Sequence, residues 1–134
     1  RIASTMLLLA LAVSVFPERG SAADGTVFEL RTYTTYEGKL PNLLARFRDH
    51  TIQLFEKHGM KNIGYWVPAD EPRSKNTLIY LLEHKSREAA KKSWDAFRTD
   101  PEWIKVRDAS EASGKINEKV ESVYMEATDF SKLK

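Results

Sequence analysis

Apolar and polar residues alternate near the start of the first strand-like stretch. Phe28, Leu30 and Thr32 fall on one side of an extended chain, and Glu29, Arg31 and Tyr33 on the other. The alternation predicts a strand over residues 26–34. A simple amphipathic strand has no need of a carboxylate, a guanidinium and a phenol in a row. That polar stripe is therefore either a binding surface or a structural polar network. After Glu37-Gly38-Lys39-Leu40-Pro41, which sets a proline inside a first helical turn, the period changes. Leu40, Leu43, Leu44, Phe47, Thr51, Leu54, Phe55 and His58 then fall in a band about 120° wide. Arg46, Asp49, Gln53, Glu56 and Lys57 lie outside it. The spacing predicts one helix of about 18 residues, closed by Gly59.

Ile63, Tyr65 and Val67 alternate with Asn62, Gly64 and Trp66, which predicts a second strand over residues 60–67. Residues 68–76 carry two prolines and mixed charge, a long hairpin loop. Residues 77–84 are the most apolar strand and so the most buried. Ser86 caps a helix with Ala89, Ala90, Trp94 and Phe97 inward. Asp100-Pro101-Glu102 restarts it, placing Trp103 and Val106 inward, and Gly114 ends it. Residues 119–127 alternate as a fourth strand, and the polar tail 128–134 is expected to fray.

The order β-α-β-β-α-β defines an α+β, ferredoxin-like fold: a four-stranded antiparallel sheet, ordered 4-1-3-2, with helices on one face. The other face, expected to carry Arg31 and Tyr33, is too large to leave wet. A homodimer closed sheet against sheet would cover it.

Composition narrows the function classes. At 42% hydrophobic and 30% charged the chain is not a disordered one. A net charge of +2, with basic residues scattered among acidic ones, leaves no footprint for nucleic acid. The absence of cysteine excludes disulfides, thiolate catalysis, cysteine metal sites and a lipoprotein anchor. Residues 6–16 are an unbroken apolar run, too short for a bilayer span of about 20 residues. Pro17 and Gly20 break the run, and Gly20-Ser21-Ala22 supplies small residues for cleavage near Ala22. Residues 1–25 are thus expected to be a signal peptide and lead-in, and residues 26–134 the domain. The mature protein would be periplasmic or secreted, with no stable membrane insertion.

Several blocks in order resemble the NIPSNAP family. They are Phe28-Glu29-Leu30-Arg31-Thr32-Tyr33, Gly38-Lys39-Leu40-Pro41, Arg46-Phe47-Arg48-Asp49-His50-Thr51, Leu54-Phe55-Glu56-Lys57-His58-Gly59 and Gly64-Tyr65-Trp66. Trp94-Asp95-Ala96-Phe97-Arg98, Asp100-Pro101-Glu102-Trp103 and Glu118-Lys119-Val120-Glu121-Ser122 continue the likeness, which spans the whole expected domain. The resemblance implies a ferredoxin-like subunit of the dimeric α+β barrel kind. The family sits beside small cofactor-independent monooxygenases and haem-degrading enzymes of that fold. Its eukaryotic members are mitochondrial proteins linked to vesicle traffic and mitophagy signalling, and its bacterial members have no settled reaction.

Glu29, Arg31 and Glu121 are expected to meet, because strands one and four are neighbours. An arginine held by carboxylates can bind an anionic or carbonyl group; the same charges can equally be a network retained for register. Tyr33 and Tyr80 are candidate donors to a ligand, or core tyrosines bonded to backbone. His50 lies at the edge of the helical band, about 60° from its centre, where a general base or a haem ligand would reach a cavity between helix and sheet. His58 is expected to donate to the last helical carbonyls. Trp66 would line an aromatic cleft able to hold a flat hydrophobic ligand. Three histidines without close spacing give no metal site. No phosphate loop, nucleotide fingerprint or nucleophile–base pair occurs, and no cofactor is implied. Two function classes follow. One is a small-molecule binding protein or cofactor-free enzyme, anchored by Arg31 with His50 handling protons. The other is a non-enzymatic homodimer that binds another protein.

Overall fold

A computed structural model describes residues 25–134. Apart from Gly25, the expected leader lies outside the described residues. Among those described, no helix is long and apolar enough to cross a membrane.

Strands β1 (Val27–Thr35), β2 (Lys61–Trp66), β3 (Thr77–His84) and β4 (Asn117–Met125) form one antiparallel sheet in the order β2-β3-β1-β4. This is the predicted topology, with β1 central. On the sheet lie α1 (Leu40–Arg46), a π-helical turn (Phe47–Thr51), α2 (Ile52–Lys57) and α3 (Arg87–Thr99), and α4 (Pro101–Ser110) packs against α1 and α3. Ser86 caps α3, accepting from the Ala89 amide at 3.0 Å, and Asp100 caps α4, accepting from the Glu102 amide at 2.8 Å. Gly59, at φ 81°, closes α2 in the left-handed conformation.

The expected single first helix is interrupted by the π-helical turn. There the Ile52 amide reaches back to the Phe47 carbonyl. The expected apolar band nonetheless runs through both halves: Leu40, Leu43, Phe47, Thr51, Leu54 and Phe55 are buried, and Leu44 and His58 partly so. Arg46, placed outside that band, is also buried, because Trp103, Ser110 and Glu111 close over it. His58 also differs from expectation: its Nε2 lies 2.7 Å from the Asp100 carboxylate, tying the end of α2 to the start of α4.

The core between helices and sheet is aromatic. Phe55 packs on Trp94, Phe97 and Tyr80 with ring centroids 5.3, 5.0 and 5.9 Å apart. Phe47 meets Tyr80 at 5.1 Å, and Tyr65 stacks on Tyr80 at 5.1 Å. These rings form the core cluster between the helices and the sheet.

The two faces of β1 are the reverse of the expectation. Glu29, Arg31 and Tyr33 face the helices, and the open face carries Leu30 and Thr32. Both faces of this strand alternate cleanly, so the choice rests on where polar groups find partners. The helix side offers Glu29 four donors, which makes its burial tolerable. The open face is mixed: Trp66 is 53%, Val123 55% and Met125 36% exposed, beside the ion pairs Lys119–Glu121 and Lys61–Glu83. At one end of it Ser131 and Leu133 of the tail line a hollow with Phe28, Leu81 and Met125.

Candidate functional site

The polar stripe of β1 organises a buried network. Glu29 is fully buried, and its carboxylate meets donors from four elements. Oε1 accepts from Trp94 Nε1 on α3 at 2.7 Å and from His84 Nε2 on β3 at 2.9 Å. Oε2 accepts from Arg31 Nη1 at 2.7 Å and from Ser122 Oγ on β4 at 2.6 Å. Burial alone would raise the Glu29 carboxyl, but the hydrogen bonds from His84, Ser122, Arg31 and Trp94 outweigh it and hold the group at about 2.

Arg31 is aimed by this carboxylate. Its guanidinium stacks over the Trp94 ring at 4.2 Å, and Nη2 donates to the Tyr33 hydroxyl at 3.2 Å. Burial opposes its charge; the Tyr33 and Tyr80 oxygens and Glu29 more than compensate, so its basicity rises above the ordinary arginine value. Tyr80 is completely buried and donates to the Tyr33 oxygen at 2.8 Å. Burial pushes the Tyr80 phenol well above its ordinary range. The Tyr33 oxygen thus accepts twice, and among the described residues no acceptor bonds its own proton. Arg31 Nε is likewise buried without a partner. Two donors are left unspent at one end of the network. That end adjoins the part of β4 where Val120 and Ser122, opposite Tyr33 and Arg31 in register, are exposed.

Glu29, Arg31, Tyr33 and Tyr80 are therefore brought together. Glu121 is not among them. It sits opposite Thr32, faces the open side and pairs with Lys119 at 3.0 Å. The β4 residue that reaches Glu29 is its neighbour Ser122, since a one-residue step along a strand changes face. Trp66 also lies on the open face, folded back over Gly64, where an added Cβ would meet the indole. His50 is exposed and reaches no space between helix and sheet. It lines a groove of about 530 Å³ between α1 and α4, together with Arg46, Asp49, Lys105 and Ala109.

His84, Trp94, Ser122 and Arg46 were missed as functional candidates. His84 was findable: it continues the Leu78, Tyr80, Leu82 alternation of β3 onto the same face as Glu29. Trp94 was read correctly as core, yet its indole N–H is also a Glu29 donor. Among the described residues no group of three histidine or acidic side chains could hold a metal ion.

A four-stranded antiparallel sheet with helices packed on one face, in this strand order, defines a ferredoxin-like α+β protein. The family model of NIPSNAP proteins matches residues 28–132, and the chain belongs to the NIPSNAP family. A NIPSNAP family protein of unknown function from Agrobacterium tumefaciens is 22% identical, with a TM-score of 0.69 over 83% of this chain and 96% of that one. A second from the same organism is 23% identical, with a TM-score of 0.70 over 81% and 99%. SnoaB, a cofactor-independent oxygenase from Streptomyces nogalater, is 11% identical, with a TM-score of 0.54 over 78% and 95%. At these identities the solved structures speak to the fold. Comparison with curated proteins by sequence gives no match.

Proposed function

We propose that the protein binds a small aromatic or otherwise hydrophobic molecule bearing an acidic or carbonyl oxygen. The ligand oxygen would lie at the Arg31–Tyr33 end of the buried network. The observation that carries this reading is the pair of unspent donors there, Arg31 Nε and the Tyr33 hydroxyl proton. Buried donors are almost always paired, and two unpaired ones side by side suit an oxygen brought by a ligand. The Trp94 and Tyr33 rings lie against the Arg31 guanidinium, 4.2 and 5.4 Å from it, and hold its position at this end. If the site is catalytic, the class supported by the fold likeness is cofactor-independent oxygenation, with Arg31 and Tyr33 stabilising the anion of an acidic substrate. The working unit in this proposal is a homodimer closed over the open sheet face, where Trp66, Val123 and Met125 would leave water. Export through the leader belongs to the same reading.

The test is native mass spectrometry of the mature protein purified from its own host, alongside Tyr33→Phe and Arg31→Gln. The expected result is a dimer with an added small-molecule mass that both variants lose. An empty wild-type dimer that also fails to bind a panel of aromatic acids and phenols would overturn the ligand reading. The second reading, a homodimer that binds another protein, would then lead. It is favoured by the aromatic core cluster together with the exposed Trp66, Val123 and Met125 of the open face.

A further inference from the structure

The groove between α1 and α4 lies apart from the Glu29 network and has its own buried cation. We propose that it binds a small organic monocarboxylate with a short apolar body, anchored by Arg46. The groove holds about 530 Å³, within the range of small-molecule sites. The Arg46 side chain is only 4% exposed. Its guanidinium is poorly matched: Nη1 lies 3.2 Å from Ser110 Oγ and 3.6 Å from Glu111, and Nε has no partner. Good charge-assisted contacts are shorter, about 2.7–2.9 Å. The Ser110 hydroxyl moreover gives its own proton to the Arg107 carbonyl, at 2.7 Å, so it can face Arg46 with its oxygen. Trp103 supports the cation with its ring centroid 5.1 Å away. Burial lowers the basicity of Arg46, and Glu111 offsets only part of that.

Arg46 stands at the edge of an irregular stretch of helix. The π-helical turn begins at the next residue, and Thr51 Oγ1 donates to the Arg46 carbonyl at 3.2 Å, filling the widened turn. Such turns often carry functional side chains. The walls decide the ligand class. Ala45, Val106 and Ala109 are small and apolar and leave room for a short hydrocarbon body. Lys105 adds a cation, but Asp49 and Glu102 also line the groove, so its formal charges balance. Glu102 is within 3.4 Å of Lys57, while Asp49 makes no ion pair among the described residues. A phosphate or other polyanion would be repelled by these acids, whereas one carboxylate can sit on Arg46 without approaching them. A neutral hydrocarbon would leave the Arg46 Nε unspent.

The experiment titrates octanoate, and 1-octanol as its neutral counterpart, into the full protein. The readouts are calorimetry and ¹H–¹⁵N spectra, including the Arg46 side-chain Nε–H. The expected result is saturable octanoate binding that shifts that signal and the Ala45, Val106 and Ala109 amides, with octanol at least about tenfold weaker, the scale of one charge-assisted hydrogen bond. Arg46→Gln should lose binding. Because removing a buried arginine can unfold the protein, Ala109→Trp provides the second variant. It fills the exposed wall of the groove, leaves Arg46 in place and should abolish binding with the melting temperature kept. Equal binding of octanol and octanoate, undiminished binding in Ala109→Trp, or no binding up to millimolar octanoate would each overturn the proposal.

Discussion

Replacing Glu29 by glutamine is the sharpest test of how the buried stripe is held. The side chain keeps its shape, but one oxygen becomes an NH₂ group that can only donate. In the native network both oxygens accept, one from Trp94 and His84 and the other from Arg31 and Ser122. Whichever way the amide turns, two donors face a donor, and the Arg31 cation loses its counter-charge. Removing one member of a buried ion pair costs about 3–5 kcal/mol. The titration of Glu29 gives an independent scale. Its carboxyl is displaced from 4.5 to about 2, and at 1.36 kcal/mol per pH unit this is about 3 kcal/mol. Arg31 and Ser122 lie toward solvent, and screening there reduces the figure to about 2 kcal/mol.

The sign of the pH effect follows. A carboxyl lowered by folding contributes its full stability above its unfolded value and loses it as pH falls toward the folded one. Wild-type stability should therefore decline between about pH 4.5 and about pH 2. Guanidinium unfolding followed by circular dichroism, from pH 7 to pH 2, measures both quantities. Glu29→Gln should be about 3 kcal/mol less stable at pH 7, with a flatter acid limb. A loss under about 1 kcal/mol at pH 7, or an acid limb parallel to wild type, would refute the account of Glu29 as the charged centre of the network.

Two further predictions concern local structure. Ser86→Ala removes the oxygen that receives the Ala89 amide at the start of α3; it should cost about 1 kcal/mol, read as a lower denaturation midpoint with unchanged slope. Gly64→Ala sets a methyl group where the Trp66 indole lies. Because Trp66 is half exposed, the ring should swing off the sheet at a cost under about 1 kcal/mol, moving the Trp66 indole N–H signal; an unmoved signal would show that the ring does not rest on Gly64.

The path from residues to fold was short where the interactions are local. The Ser86 and Asp100 caps, the Gly59 stop and the strand alternations each depend on residues a few positions apart, and the strand order follows from connection rules. The site was legible only in part. Glu29, Arg31 and Tyr33 announce themselves as a polar stripe, and their partner Tyr80 sits on the neighbouring strand. The groups that make the stripe tolerable to bury are His84, Trp94 and Ser122, which stand 55, 65 and 93 residues from Glu29. Periodicity sets His84 on the right face of β3 but names no partner at that separation. Reading polarity as exposure then turned the strand over and chose Glu121 in place of Ser122. Arg46 was missed for the same reason: the helical wheel placed the apolar band correctly, but the groups that cover Arg46 from its other side include Ser110, 64 residues away.

The geometry of Glu29 also limits where chemistry on the stripe can occur. A carboxylate offers about four acceptor positions, and here all are taken by four donors. Glu29 has no capacity left for a ligand or a substrate proton, and with its carboxyl held at about 2 it stays ionised across the physiological range. It can act only through Arg31, by fixing the guanidinium against Trp94 and turning it toward Tyr33. The unspent donors are Arg31 Nε and the Tyr33 hydroxyl. Function on this stripe therefore belongs to Arg31 and Tyr33, and the two ends should separate under mutation. Glu29→Gln should lower stability and binding together, because it releases the anchor of Arg31. Tyr33→Phe removes an oxygen that accepts two hydrogen bonds, a cost of about 1–2 kcal/mol. It should nevertheless leave Glu29 and the Arg31 anchor intact, so any loss of binding beyond that modest destabilisation marks the Tyr33 proton as a contact with the ligand.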